Sequence, residues 1–308
     1  MRALSPVVAI RPETRAHVLP DLRALLTEMV DGDASDLHLK VPGRPMLRVG
    51  RELVASRHER LMPRDVQGYA EMIAQHAGLP GLDGEVRVSF GMEGLGRFRA
   101  HVGKQRGSYE IVVHRISTAP PALDEMGEMA GLVRALEVGS GLVLVAGAKP
   151  RRSLVAAAVR HLNENVGGHI VSIESPMEWL HRDSRAAVSQ REVGIDVRSV
   201  AEAMSSCAWQ DPDAVFCAEL PSLEDAEAAL RLAEEGVLVV AGIAVAEPGE
   251  AVRAFVGRFP QHRETELSAR LADVLSGVAG VDRGGSSQWW AMEQEQREMM
   301  RAGVVSRW

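Results

Sequence analysis

Gly-Leu-Val-Leu-Val-Ala-Gly-Ala-Lys-Pro-Arg-Arg-Ser-Leu, residues 141–154, holds the transition on which the fold turns. The apolar run Leu142–Ala146 has the length of a strand buried on both faces. A loop with Gly147 and Pro150 follows, then a helical pattern at about 151–163. The same rhythm recurs downstream, where apolar runs at His169–Ile173, Ala214–Ala218 and Val237–Ile243 alternate with helical patterns at about 199–208 and 222–235. Such alternation predicts an α/β domain with a central, mostly parallel sheet covered by helices on both faces.

Upstream the rhythm changes. Leu22, Leu25, Leu26, Met29 and Val30 recur at helical spacing, and Pro63 opens a second helix to about Ala77. Leu37 and Leu39 alternate with polar neighbours, and Val86–Phe90, Arg97–Val102 and Glu110–Ile116 read as antiparallel strands separated by glycine turns. These residues predict a small α+β domain over 20–117, preceded by a loose lead over 1–19 that lacks periodicity. Pro120-Pro121 cannot continue a strand or sit inside a helix, so the second domain is expected over 118–282. Arg283–Ser287 reads as a flexible link and Trp289–Arg301 as a final helix, so 283–308 is expected to be a linker and a C-terminal helix.

The 308 residues, 46% of them hydrophobic, suffice for two cores. The formal charge is −7 and uneven: residues 1–117 carry 17 Lys+Arg against 14 Asp+Glu, the remainder 18 against 28. An acidic second half argues against nucleic acid as the ligand. Cys207 and Cys217 have no zinc-site or disulfide spacing, which points to a reducing compartment. The longest apolar run, Val237–Ala246, is well short of the roughly 18 residues that span a bilayer, so a cytoplasmic protein without membrane insertion is expected.

Specific strings add to this rhythm. Ser35-Asp36-Leu37-His38-Leu39, Gly43 through Val49, Gly96-Arg97-Phe98-Arg99, Gly141–Val145, Gln190-Arg191-Glu192-Val193-Gly194 and Gln210-Asp211-Pro212-Asp213 occur in the order found in PilT-type secretion ATPases, the family of the type IV pilus retraction motor. The chain resembles that family from about residue 20 to 280. The resemblance implies a PAS-like N-terminal domain, a RecA-like P-loop-type domain and ring hexamers with nucleotide between the domains. It also implies partners: other copies of the chain, an active PilT-like or PilB-like motor, and the inner-membrane platform at the pilus base.

The chemistry departs from that family. A phosphate loop needs G-x-x-x-x-G-K-[ST], whose glycines aim backbone N–H groups inward, whose Lys reaches the phosphates and whose hydroxyl binds magnesium. Counting from Gly147, Arg152 stands for the second Gly, Ser153 for the Lys and Leu154 for the hydroxyl residue. Lys149 lies too early to replace the missing ammonium, although Lys149, Arg151 and Arg152 at a helix start could attract an anion; a solvated basic loop or a subunit contact is the alternative. The family's acidic pair survives only as Glu174 beside Ser175, with Glu178 further on. Its Walker B glutamate matches Glu219, with Ala218 for the preceding Gly and Pro221 for an Arg. Its histidine box is replaced by Gly242-Ile243-Ala244-Val245, and two arginines before Asp211 by Ser205 and Trp209.

Phosphoryl transfer rests on positioned charge, and losing one cation costs a factor of about 10³. Glu219 and Glu174 therefore read as vestigial catalytic candidates, with no metal site expected and no cofactor assigned, ATP with magnesium staying open as the alternative. By resemblance, Arg97, Arg99 and Arg115 match basic residues that face a neighbouring subunit's nucleotide; exposed edge arginines are the alternative. The expected function is that of a PilT-like pseudo-ATPase, a regulatory or scaffold subunit. Its rivals are a divergent active ATPase, with Arg152 as the replacement cation, and a non-hydrolysing nucleotide or anion sensor. Trp289, Trp290, Met292, Met299, Met300 and Trp308 read as an apolar stripe on the final helix, packed on its own domain or docked to a partner.

Overall fold

The computed structural model describes residues 21–82, 84–147, 150–281 and 287–304. The expected lead over 1–19, Lys149, residues 283–286 of the link and Trp308 lie outside them. The chain divides into two compact units, one up to Arg115 and one from Ile116.

The first unit is built on an antiparallel six-stranded sheet. Its elements are α1 (Leu22–Asp31), β1 (Asp36–Leu39), β2 (Met46–Val49), β3 (Glu52–Ala55), α2 (Pro63–His76), β4 (Val86–Met92), β5 (Gly96–Gln105) and β6 (Ser108–Arg115), and the strand order is β3-β2-β1-β6-β5-β4. Asp21 caps α1 by accepting the Arg23 N–H at 3.2 Å, and Leu22, Leu25, Leu26 and Met29 form the buried stripe that the spacing predicts. On β5 the period of two separates Phe98, Ala100 and Val102, which join the core with both helices, from Arg97, Arg99 and His101 on the opposite face. Each aliphatic side chain fully buried this way contributes about 1.5–3 kcal/mol.

The second unit holds α3 (Ala130–Val138), β7 (Gly141–Ala146), α4 (Pro150–Asn165), β8 (Gly168–Glu174), β9 (Ala186–Glu192), α5 (Val200–Cys207), β10 (Ala214–Cys217), α6 (Leu223–Glu234), β11 (Leu238–Ile243), α7 (Ala251–Val256), α8 (Glu264–Val274), β12 (Leu275–Val281), β13 (Ser287–Ala291) and α9 (Gln294–Arg301). Their sheet runs β13-β12-β7-β11-β10-β8-β9, and every pairing from β12 to β9 is parallel. The predicted two-sided burial follows: Leu142 and Leu144 enter one core with α5 to α9, while Val143 and Val145 enter the other with α3 and α4. Among the described residues no helix is long and apolar enough to cross a membrane.

The expected final helix over Trp289–Arg301 is corrected. Ser287–Ala291 is a strand antiparallel to β12, with Trp289 opposite Ala279 and Trp290 opposite Val278, and the helix starts only at Gln294. Trp289 fills space left by two glycines. A Cβ on Gly131 would stand 2.1 Å from its ring and one on Gly277 2.5 Å from it. The tryptophans therefore pack on their own sheet and do not form a helical stripe. Met292 and Met300 are likewise buried in the core beneath α8 and α9.

Candidate functional site

The ends of β7 and β10 bring the loop and Glu219 together. Gly147, at φ 125°, leaves the sheet in the left-handed region open to glycine, and α4 begins at Pro150. Arg151 on the first turn of α4 points back into the loop and is only 6% exposed. Its Nη2 donates to Glu219 Oε2 at 2.6 Å, its Nη1 to Gly147 O at 3.2 Å and its Nε to Ala218 O at 3.3 Å. The guanidinium fork thus ties both strand ends together.

Arg152 extends the network outward. Its Nη1 donates to Glu178 Oε1 at 2.9 Å and its Nη2 to the Ser175 carbonyl at 3.0 Å, with Glu219 3.7 Å away. Glu219 therefore has two guanidinium groups where the family's loop would present a metal and a lysine. Arg258 adds a third cation nearby, donating to Leu220 O at 2.9 Å. Ser153 is half-buried, whereas Leu154 is fully buried among the α3 and α4 core residues. The position that should carry a metal-binding hydroxyl is thus a packing position. Among the described residues no three His, Cys, Asp or Glu side chains converge on a metal site. With Leu154 packed in the core and Glu219 held by Arg151, the residues present do not fit magnesium.

Glu174, at the end of β8, is drawn into a different network. Its Oε1 accepts from Gln190 Nε2 at 2.8 Å and Ser172 Oγ at 3.0 Å. Burial pushes its carboxyl above the usual range, with Glu192 opposite it on β9 adding to the effect. Gln190 also donates to Trp179 O and accepts the His181 N–H, each at 2.8 Å. Beside them a cavity of about 10 Å³, lined by Arg152, Ser172, Glu174, Glu178 and Trp179, has room for one water molecule. Small-molecule sites occupy roughly 300–1,000 Å³.

The retained strings are tied to each other as well. Arg191 Nη1 donates to Ser206 Oγ at 2.8 Å and its Nη2 to Gln210 Oε1 at 3.0 Å, and Asp213 accepts the His169 N–H at 2.7 Å. In place of the histidine box, Gly242 brings β11 so close to β10 that a Cβ would lie 2.1 Å from Ala218 O.

The three arginines of the first unit do not form one group. Arg97 and Arg99 lie on the sheet face away from α1 and α2, whereas Arg115 is in register with Phe98 and pairs with Asp33 at 3.3 Å. Arg97 Nε is buried and meets no acceptor among the described residues. Sequence reasoning identified Arg151 and Arg152 as part of a basic cluster, with Arg152 also as the replacement cation of a divergent ATPase. It missed their pairing with Glu219 and Glu178, for which the one available signal was the surplus of arginines on the loop opposite two retained glutamates.

No protein-family model matches the chain. It is 29% identical over 262 residues to the type IV pilus ATPase PilU of Pseudomonas aeruginosa, covering 84% of this chain and 69% of that one. It is equally identical over 262 residues to the pilus retraction ATPase PilT of the same organism, covering 84% and 76%. The crystal structure of the pilus retraction motor PilT with bound ADP superposes with a TM-score of 0.81 at 28% identity, over 91% of this chain and 86% of that one.

Proposed function

The chain belongs to the PilT-like secretion ATPase family, whose type IV pilus motor members it resembles in sequence and fold, and from that premise we propose that it is a non-hydrolysing subunit. It regulates or scaffolds a type IV pilus motor, or a related secretion motor, through contacts with other subunits. The observation that carries this reading is the buried Arg151–Glu219 pair at 2.6 Å. The glutamate that would polarise water is neutralised by a cation of its own chain, and that cation also satisfies the carbonyls of Gly147 and Ala218. A triphosphate with magnesium would have to break all three contacts, with neither Lys nor hydroxyl on the loop to compensate.

Arg97 and Arg99 lie half-buried on the sheet face away from α1 and α2, from which a guanidinium can reach a carboxylate or phosphate of a neighbouring subunit, either another copy in a ring or an active motor subunit. The vestigial roles of Glu219 and Glu174, the degenerate loop from Gly147 through Ser153, and the assembly role of Arg97, Arg99 and Arg115 are parts of this one reading.

The test replaces the chain in its native cell with Glu219→Gln, which keeps an acceptor for Arg151, or with Arg97→Ala/Arg99→Ala. We expect pilus-dependent motility to survive the first change and to fall with the second. Loss of motility in Glu219→Gln, with normal motility in the arginine variant, would instead mark a divergent enzyme.

A further inference from the structure

The first unit carries an exposed ridge that the motor reading does not use. Of the nine large apolar side chains exposed among the described residues, four, Val49, Leu53, Val54 and Met62, lie on the β2–β3 hairpin and the turn into α2. β3 is one of the sheet's two edge strands, and all four of its residues are exposed. Leu53 shares a sheet face with Arg48, and Val54 shares the other with Leu47. Apolar side chains therefore project on both sides of the strand, which makes it a ridge with no groove for a partner's side chains to fill.

The charge around the ridge is predominantly positive. Between residues 40 and 64 stand seven Lys+Arg against two Asp+Glu, in a chain whose net charge is −7. Arg44, Arg51 and Arg60 are exposed and make no ion pair among the described residues. Arg51 stands at the hairpin tip, where Gly50 at φ 58° makes the turn. A second copy added along β3 would bring two such basic rims together, and like charges oppose it.

We propose that this ridge docks the protein on an anionic lipid surface, with Leu53, Val54 and Met62 entering the headgroup region and the arginines around them pairing with lipid phosphates. Aliphatic side chains ringed by arginines suit a fluid anionic interface, which deforms around a ridge; a protein partner would need a matching groove. Each Lys or Arg near such a surface raises affinity roughly fivefold. The inference is independent of whether the chain hydrolyses ATP.

The experiment is co-sedimentation of the full chain with vesicles of phosphatidylcholine alone and of phosphatidylcholine with phosphatidylglycerol. Binding is expected only to the second, weakening as salt rises. Arg51→Glu/Arg60→Glu should lower it more than tenfold, and so should Leu53→Ser/Val54→Ser, which leaves the charge unchanged. These positions are exposed, and unchanged thermal unfolding of each variant checks its fold. Absence of binding, equal binding to both vesicles, or indifference to either double variant would overturn the proposal. So would binding to soluble polyglutamate without binding to lipid, which would assign the ridge to an acidic protein.

Discussion

Arg151 takes its charge into an interior where Glu219 and the carbonyls of Gly147 and Ala218 accept from it. Its removal in Arg151→Met would leave Glu219 and the carbonyls of Gly147 and Ala218 without their donor. Breaking a fully buried pair costs about 3–5 kcal/mol, but the Glu219 side chain keeps 34% of its surface in water. Chemical denaturation should therefore show a loss of about 2 kcal/mol. Glu174 makes the complementary case. Its folded-state affinity for a proton is raised by burial, so folding favours the protonated form, and the stability it contributes is present at low pH and lost as pH rises through the raised value. Glu174→Gln should thus raise the melting temperature at pH 7, with the gain shrinking as pH falls toward 4.5, the ordinary carboxylate value. A gain independent of pH would mean that the carboxyl is not the cause. At this scale the sequence made the substitutions at Ser153, Leu154 and Ala244 legible, because each motif position demands one chemistry. It could not show where Arg151 points, since that depends on acceptors 67 and 68 residues away.

Among the elements, the β10–β11 junction is closely packed. Gly242→Ala would place a methyl group 2.1 Å from the Ala218 carbonyl, a backbone atom that cannot rotate aside. Overpacking of this kind costs about 1–3 kcal/mol, and here the strained carbonyl is also the one that Arg151 holds. Thermal unfolding of the variant should fall accordingly; a neutral result would show that β11 can slide away from β10. β7, β8, β10 and β11 were readable because each is a short apolar run buried on two faces. β12 was missed because Gly277 and Gly280 interrupt its apolar pattern, and β13 was misread as helix because Trp289, Trp290 and Met292 also suit helical spacing. What makes β13 a strand is the room that Gly131 and Gly277 leave for Trp289, a complementarity between distant residues.

For the whole molecule, two units with separate cores keep the PilT-like architecture, and on the reading proposed above the second unit fills the place of the phosphate loop with its own side chains. That architecture, with its parallel sheet and its retained strings, was legible in the sequence, because pattern and motif carry it. The inertness proposed for the site rests on ion pairs formed only on folding. A fold so furnished has reason to persist for its contacts, since losing the loop's lysine and hydroxyl removes the positioned charge on which hydrolysis depends. The most direct measurement is steady-state phosphate release by the purified full chain with ATP and magnesium. The account predicts no release above background, and none is gained in Arg151→Lys. Magnesium-dependent release by the unaltered chain that disappears in both Arg152→Ala and Glu219→Gln would contradict it.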